Sequence, residues 1–344
     1  MFASRLSEGA AVGLALTMMV CGGCAEPGNE SEAPLEMTAP QAYLGENPPG
    51  DSPVLFAPGI VSTNTREWSM ASTPDGLELF FGVVTDGRSW ILHTMEVDGR
   101  WTELAVAPFS GEYDDYDLTM SPDGNRVYFT SNRPPDGAGP VLENSDIWYV
   151  DRTDGGWGDP VRFPDPVNSE ERDLYPSQSR GGDVYFFSLR PGGFGEFDLY
   201  RVAPLGDGFG VPENLGPSIN TAENETDACI SPDGDYLVFT STRGGGFGSG
   251  DLYVSFWTND GGWTRAVNLG ETVNTEHLEF CPSVSSDGKY LFFTSNRPKE
   301  QEIADTSGIR EELGVTPSSE RPDIDIYWVD AGFIESFRPG VERE

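Results

Sequence analysis

One phrase recurs along this chain: a short turn rich in Ser, Pro, Asp and Gly, followed by an apolar, aromatic run. It reads Thr73-Pro74-Asp75-Gly76, Ser121-Pro122-Asp123-Gly124, Ser179-Arg180-Gly181-Gly182, Ser231-Pro232-Asp233-Gly234 and Ser285-Ser286-Asp287-Gly288. Proline sets φ at the first central position of a turn, and Asp and Gly accept the backbone conformations of the next positions. The runs after it are Leu79-Phe80-Phe81, Val127-Tyr128-Phe129, Val184-Tyr185-Phe186-Phe187, Leu237-Val238-Phe239 and Leu291-Phe292-Phe293. In the fullest copy, Ser231 to Ser255, a strand from Tyr236 to Thr240, a glycine-rich loop and a returning strand Leu252-Tyr253-Val254 spell out a β-hairpin. The period of about 50 residues falls in the range of propeller blades.

Two more strands complete each unit. The third appears as Asp146-Ile147-Trp148-Tyr149, Asp198-Leu199-Tyr200, Asp251-Leu252-Tyr253 and Asp325-Ile326-Tyr327. A fourth is expected to open at Trp101, Trp157, Phe209 and Trp263, and three units leave through Asn168, Asn220 and Asn274. Four short antiparallel strands, repeated without helices, predict an all-β fold: a β-propeller whose blades cover one another's faces and whose ring closes the edges. The chain's 42 glycines and 27 prolines suit so many turns. Five turn phrases predict five blades. The last repeat has no Trp-led fourth strand. Val54-Leu55-Phe56, followed by Val61-Ser62-Thr63-Asn64, parallels Val267-Asn268-Leu269 and Val273-Asn274-Thr275, so the N-terminal strand is expected to complete the last blade. Gly332 to Arg338 has helical spacing.

The phrases Ser-Pro-Asp-Gly, Tyr-Phe-Thr-Ser-Asn-Arg and Asp-Leu-Tyr, with the Trp263-x-x-x-Val-Asn-Leu-Gly run, resemble the WD40-like (PD40) or TolB-type propeller repeats of bacterial envelope proteins, over roughly Val54 to Asp330. The resemblance implies a propeller, often of six blades, which stands as the alternative count. Its members include non-catalytic binding proteins and the propeller halves of serine peptidases. No hydrolase-sized region follows the repeats and no Gly-x-Ser-x-Gly elbow is present, so peptidase activity is not carried over.

Ahead of the repeats, Arg5 and the apolar run Ala10 to Val20 read as a signal peptide, too short for a mature membrane span. Cys21-Gly22-Gly23-Cys24 then resembles a bacterial lipoprotein signal over residues 1–24, with Cys24 as the lipidated residue; Cys21 departs from the usual Leu. An ordinary cleaved signal is the alternative. Residues 25–52 read as a disordered tether rich in Pro and Glu, 53–338 as the propeller and 339–344 as a tail. The expected location is the bacterial envelope, exported and lipid-anchored, on the outer-membrane or periplasmic side. Oxidising conditions there would allow Cys229 and Cys281, on neighbouring innermost strands with offsets differing by two, to form a disulfide. The competing reading is two small buried thiols.

A formal charge of −36 argues against nucleic acid or an anionic bilayer as partner, leaving the lipid anchor as the only membrane contact. Six residues before each turn stands an acid: Glu67, Asp115, Asp173, Glu225 and Glu279. Four second strands end in Ser-x-Arg: Arg133, Arg190, Arg243 and Arg297, whereas the first repeat has none. Strand direction places acids and arginines on one rim. They either pair to stabilise the ring or form a charged funnel for a cation or polar ligand. The function expected is a non-catalytic binding or assembly module for an envelope protein or polysaccharide. The alternative is a glycan-active hydrolase or lyase using funnel carboxylates. His93 and His277 lie apart, and no zinc, Walker or dinucleotide pattern is present. No cofactor is called for, though the surplus of oxygen ligands would suit Ca²⁺ as a stabiliser. Two insertions, 134–145 and 298–322, enlarge loops on the acid–arginine rim.

Overall fold

Each turn phrase folds as its chemistry dictates. Ser121 Oγ donates to Asp123 Oδ1 at 2.6 Å and accepts from the Arg126 amide at 2.9 Å. Asp123 accepts from the Asn125 amide at 3.0 Å, and Gly124 takes the left-handed conformation, φ 74°. The same arrangement forms around Thr73 and Ser285. In the fourth copy Asp235 takes the aspartate's part, accepting from Ser231 Oγ at 2.7 Å.

These hairpins assemble, in a computed structural model describing residues 42–84, 87–135, 139–206, 208–299, 302–316 and 322–340, into a five-bladed propeller. The inner strands are Glu67–Ser72, Asp115–Met120, Asp173–Gln178, Glu225–Ile230 and Glu279–Val284. The second strands are Glu78–Val84, Arg126–Ser131, Val184–Ser188, Tyr236–Ser241 and Tyr290–Ser295. The third strands are Ser89–Val97, Asp146–Thr153, Asp198–Val202, Asp251–Phe256 and Asp325–Asp330. The outermost strand begins later than expected. Arg100–Trp101, Gly156–Trp157 and Gly208–Phe209 only close a hairpin tip. The chain then steps on to Ala105–Val106, Val161–Arg162, Glu213–Asn214 and Val267–Asn268, which pair with the third strands.

The core lies in the seams. Among the described residues, the apolar clusters join neighbouring blades. Phe80 and Ile91 of blade one, for example, pack with Leu118, Phe129 and Trp148 of blade two. Each fully buried Phe contributes about 2–3 kcal/mol. Where a blade hands over to the next, Asn168, Asn220 and Asn274 bond both backbone groups of Ile147, Leu199 and Leu252 in the blade being left. Ser62 does the same for Ile326.

Closure takes the expected route: Val54–Leu55 pairs antiparallel with Asp325–Asp330, Val54 opposite Trp328. The packed region extends further toward the N-terminus than residue 53. Tyr43, inside the expected tether, bonds Gly76 through its amide and packs its ring against Tyr290, Phe292 and Trp328 over the seam of blades five and one. A lone aromatic in a polar stretch carries no periodicity to mark it. Ala331–Phe337 is a 3₁₀ helix. The signal segment, Cys24, residues 25–41 of the tether and 341–344 of the tail lie outside the described residues.

Candidate functional site: the acid–arginine rim and the channel

The rim residues meet within each blade. The Nε of Arg133, Arg190, Arg243 and Arg297 donates to Ser131, Ser188, Ser241 and Ser295 at 2.8–3.0 Å. The terminal nitrogen reaches the inner-strand acid: 2.6 Å to Asp115, 2.6 Å to Asp173, 3.2 Å to Glu225 and 3.1 Å to Glu279. It also donates to the carbonyl of Phe109, Val167, Ile219 or Val273, in the segment arriving from the previous blade. Each guanidinium lies over two rings or, for Arg133, three; Arg243 lies over Phe239 and Tyr253 at 5.5 and 4.6 Å. All five acids have no exposed surface. They are clamps that join a blade to its predecessor, and a funnel ligand has no access to them.

Blade one has its arginine after all. Arg310, carried by the short helix Ile309–Glu312 inside the 298–322 insertion, donates to Glu67 at 2.9 Å and to the Val61 carbonyl at 2.7 Å, the contacts that Ser-x-Arg makes elsewhere. Its Nη1 also pairs with Asp305 at 3.1 Å, and the side chain is nearly fully buried. Glu67 is therefore paired, although its own repeat carries no Ser-x-Arg. Sequence spacing could not find Arg310, because it comes from the opposite end of the chain.

Blade two departs differently. The second carboxylate oxygen of Glu67, Asp173, Glu225 and Glu279 accepts the amide of Thr63, Ser169, Thr221 and Thr275. Gly111 stands at that place in blade two, and among the described residues Asp115 Oδ2 accepts no matching amide. Burial raises the Asp115 pKa against the pull of Arg133.

Two residues beyond each acid the ladder slips by one, and that residue has positive φ: Ser69, Asp117, Tyr175, Asp227 and Cys281, φ 48–53°. A non-glycine residue in this region costs about 1–3 kcal/mol. The slip drives these side chains to the axis, where non-adjacent blades touch. Tyr175 Oη donates to the Pro282 carbonyl at 2.9 Å, and Cys281 Sγ lies 4.0 Å from Asp117. Asp227 accepts from Thr226, Thr240 and the Cys281 amide at 3.1–3.3 Å. Burial and the facing Asp227 push Asp117 well above the usual carboxylate range, with Arg172 opposing. Burial raises Asp227 to about 6, against its three hydrogen bonds. The channel is thus plugged by a buried carboxylate pair that sequence reading missed.

The disulfide does not form. Both cysteines are free. The slip lies between the two positions compared, so an offset of two no longer preserves the facing direction. Cys281 points into the plug, whereas Cys229 Sγ accepts from the Val284 amide at 3.3 Å. Burial raises the Cys229 thiol to about 12 and Cys281 well above its ordinary value, which leaves both unreactive.

At the acid–arginine mouth, the residues next to the acids include half-buried Trp68, Tyr116 and Phe280, with Trp68 6.3 Å from each of the other two rings. At the turn-side mouth, a cavity of about 30 Å³ is lined by Met70, Thr119, Ser177, Cys229 and Ser283, room for about one water. His93 does not approach His277. It bonds Glu78 at 2.8 Å in a cluster completed by Trp157 and Arg152 of blade two. Burial alone would raise Glu78, but these hydrogen bonds outweigh it and hold the carboxyl at about 2. Among the described residues no group of three or more His, Cys, Asp or Glu is placed to hold a metal ion, and no helix is long and apolar enough to cross a membrane.

No family model matches the chain, and no curated protein does. It is similar to solved structures. The TolB of Acinetobacter baumannii is 17% identical over 78% of this chain and 57% of its own, with a TM-score of 0.47. The TolB-named protein of Agrobacterium tumefaciens is 18% identical over 67% and 70%, TM-score 0.45. An α-L-arabinofuranosidase from Lactobacillus brevis is 12% identical over 78% and 91%, TM-score 0.45. The chain spans little more than half of the Acinetobacter protein.

Proposed function

We propose that this protein is a non-catalytic binding or assembly module, exported and held at the bacterial envelope by a lipid on Cys24, with an envelope protein or polysaccharide as ligand. The observation that carries this reading is the burial of all five rim carboxylates, each spent on an arginine clamp. Glycan hydrolysis through those groups would need them open to a sugar and free to exchange protons. The loops between second and third strands sit on a rigid ring, an arrangement that suits recognition. The axial Asp117 and Asp227, both pushed above the usual carboxylate range by burial, keep the glycan-active alternative testable.

Purified protein should show no turnover of envelope polysaccharides and should retain a specific protein or polysaccharide from envelope extract. Turnover abolished by Asp227→Asn with the fold intact would replace this reading with the enzymatic one. Mass spectrometry of the mature N-terminus should show acylated Cys24; an unmodified terminus at Ala25 would remove the anchor.

A further inference from the structure

Two adjacent blades hold an aromatic ring out into solvent by the same device. The loops Arg190-Pro191-Gly192-Gly193-Phe194-Gly195-Glu196-Phe197-Asp198 and Arg243-Gly244-Gly245-Gly246-Phe247-Gly248-Ser249-Gly250-Asp251 join second to third strands of blades three and four. Phe194 and Phe247 occupy equivalent places, and each is 49% exposed. Neither ring belongs to a seam cluster or stacks on another ring among the described residues.

The backbone beneath them is pinned. Asp198 accepts the amides of Phe194 and Gly195 at 2.6 and 3.1 Å, and Asp251 those of Phe247 and Gly248 at 2.8 and 3.2 Å. The glycines allow this approach. A Cβ on Gly195 would lie 2.0 Å from the Glu223 carbonyl, and one on Gly248 1.7 Å from that of His277. Blades two and five lack the device: there the matching Asp146 and Asp325 pair with Arg162 and Lys299 instead. Fixing an aromatic in advance removes the ordering cost of binding, which is what an interface anchor requires.

Exposed carboxylates lie along these loops: Glu171 and Glu196 line the cleft at the first, Glu223 packs its backbone against Gly195, and Glu276 precedes His277, whose carbonyl packs against Gly248. Arg190 and Arg243 at the loop roots are committed to Asp173 and Glu225, and exposed Arg172 lies over the Phe197 ring. A cleft of about 530 Å³ beneath the first loop is lined by Glu171, Arg172, Glu196 and Phe197. Excess negative charge beside fixed aromatics complements one chemistry, cationic groups interspersed with apolar ones. It repels anionic glycans.

We infer that the loops of blades three and four form a docking surface for a polypeptide segment carrying Lys or Arg beside apolar side chains, seated on Phe194 and Phe247. The inference rests on the binding reading above and names the face and the partner's chemistry. The probe is a fluorescein-labelled peptide of three Lys-Gly-Leu-Gly units, followed by anisotropy against the full chain, with its Glu-for-Lys counterpart and cellohexaose as controls. The Lys peptide should bind. Phe194→Ser with Phe247→Ser should weaken it by about 10-fold or more without lowering Tm, and raising salt from roughly 50 to 300 mM should weaken it further. The two controls should not bind. The assignment is overturned by a Lys peptide that fails to bind, by equal affinity in the double variant, or by cellohexaose binding that the double variant loses. In the envelope pull-down, a double variant that keeps the wild-type partner overturns this surface and leaves the binding reading standing, whereas a wild type that retains nothing removes both.

Discussion

Arg310 lies 243 positions from Glu67 yet completes the same clamp that Ser-x-Arg builds within each other blade. Removing it leaves a carboxylate with no exposed surface and no cation. Arg310→Ala should therefore destabilise the fold by about 3–5 kcal/mol, read as a lower urea midpoint; an unchanged midpoint would show the clamp to be dispensable. The axial aspartates act in the opposite direction. Their folded pKa values lie above that of an unfolded Asp, so the folded state binds more protons in between. Stability is full below about pH 4 and falls as pH rises through about 6. Asp117→Asn should raise Tm at pH 8, leave it nearly unchanged at pH 4 and flatten the profile between. A variant no more stable than wild type at pH 8 contradicts the buried pair. Glu78, held near 2, contributes stability that is fully present above the usual carboxylate range and lost as pH falls through about 2. These roles had no sequence signature. The acids and arginines of the clamps were legible because they repeat at fixed offsets, while Asp117, Asp227 and Cys281 share their positions with Ser69 and Tyr175, with no common chemistry to align.

The hairpin is the element that the chain writes most openly, and its turns fold through the Ser, Asp and Gly that announce them. The outer strand was misplaced by about four residues because a Trp after a glycine turn looks like a strand start; here it closes a tip, and only the next apolar pair reaches the third strand. The glycine-rich loops read as flexible, yet their glycines serve close packing. Gly195→Ala and Gly248→Ala should each distort one loop without unfolding the ring. Amide exchange should rise at 192–197 or 245–250 alone, and Tm should fall by only a few degrees, about 1–2 kcal/mol. A global loss of protection would place these loops in the folding core instead.

At the scale of the whole molecule, the ring is held shut by a two-residue strand and by one tyrosine that overlies the same seam. Deleting residues 53–57 reopens a sheet edge and strips Phe56 from the seam of blades five and one. The expected outcome is a loss of cooperative unfolding or a drop in Tm of more than about 10 °C. Tyr43→Ala, which leaves the strand in place, should cost less but remain measurable. A deletion variant as stable as wild type would mean that the ring does not need its closure.

The repeated turn and strand phrase, by itself, determined the blade, the number of blades, the closing strand and the rim on which acids and arginines meet. All of these are local patterns multiplied by a period, and antiparallel pairing between neighbours in sequence leaves little freedom. Only the tertiary structure decided which arginine serves Glu67, that Cys229 and Cys281 stay apart, and that two aspartates share the axis. Two physical events account for these. A one-residue slip in every inner strand reverses which side chains face the channel, and an insertion folds a distant arginine back over the ring. Neither event alters the hydrophobic pattern from which the fold was read.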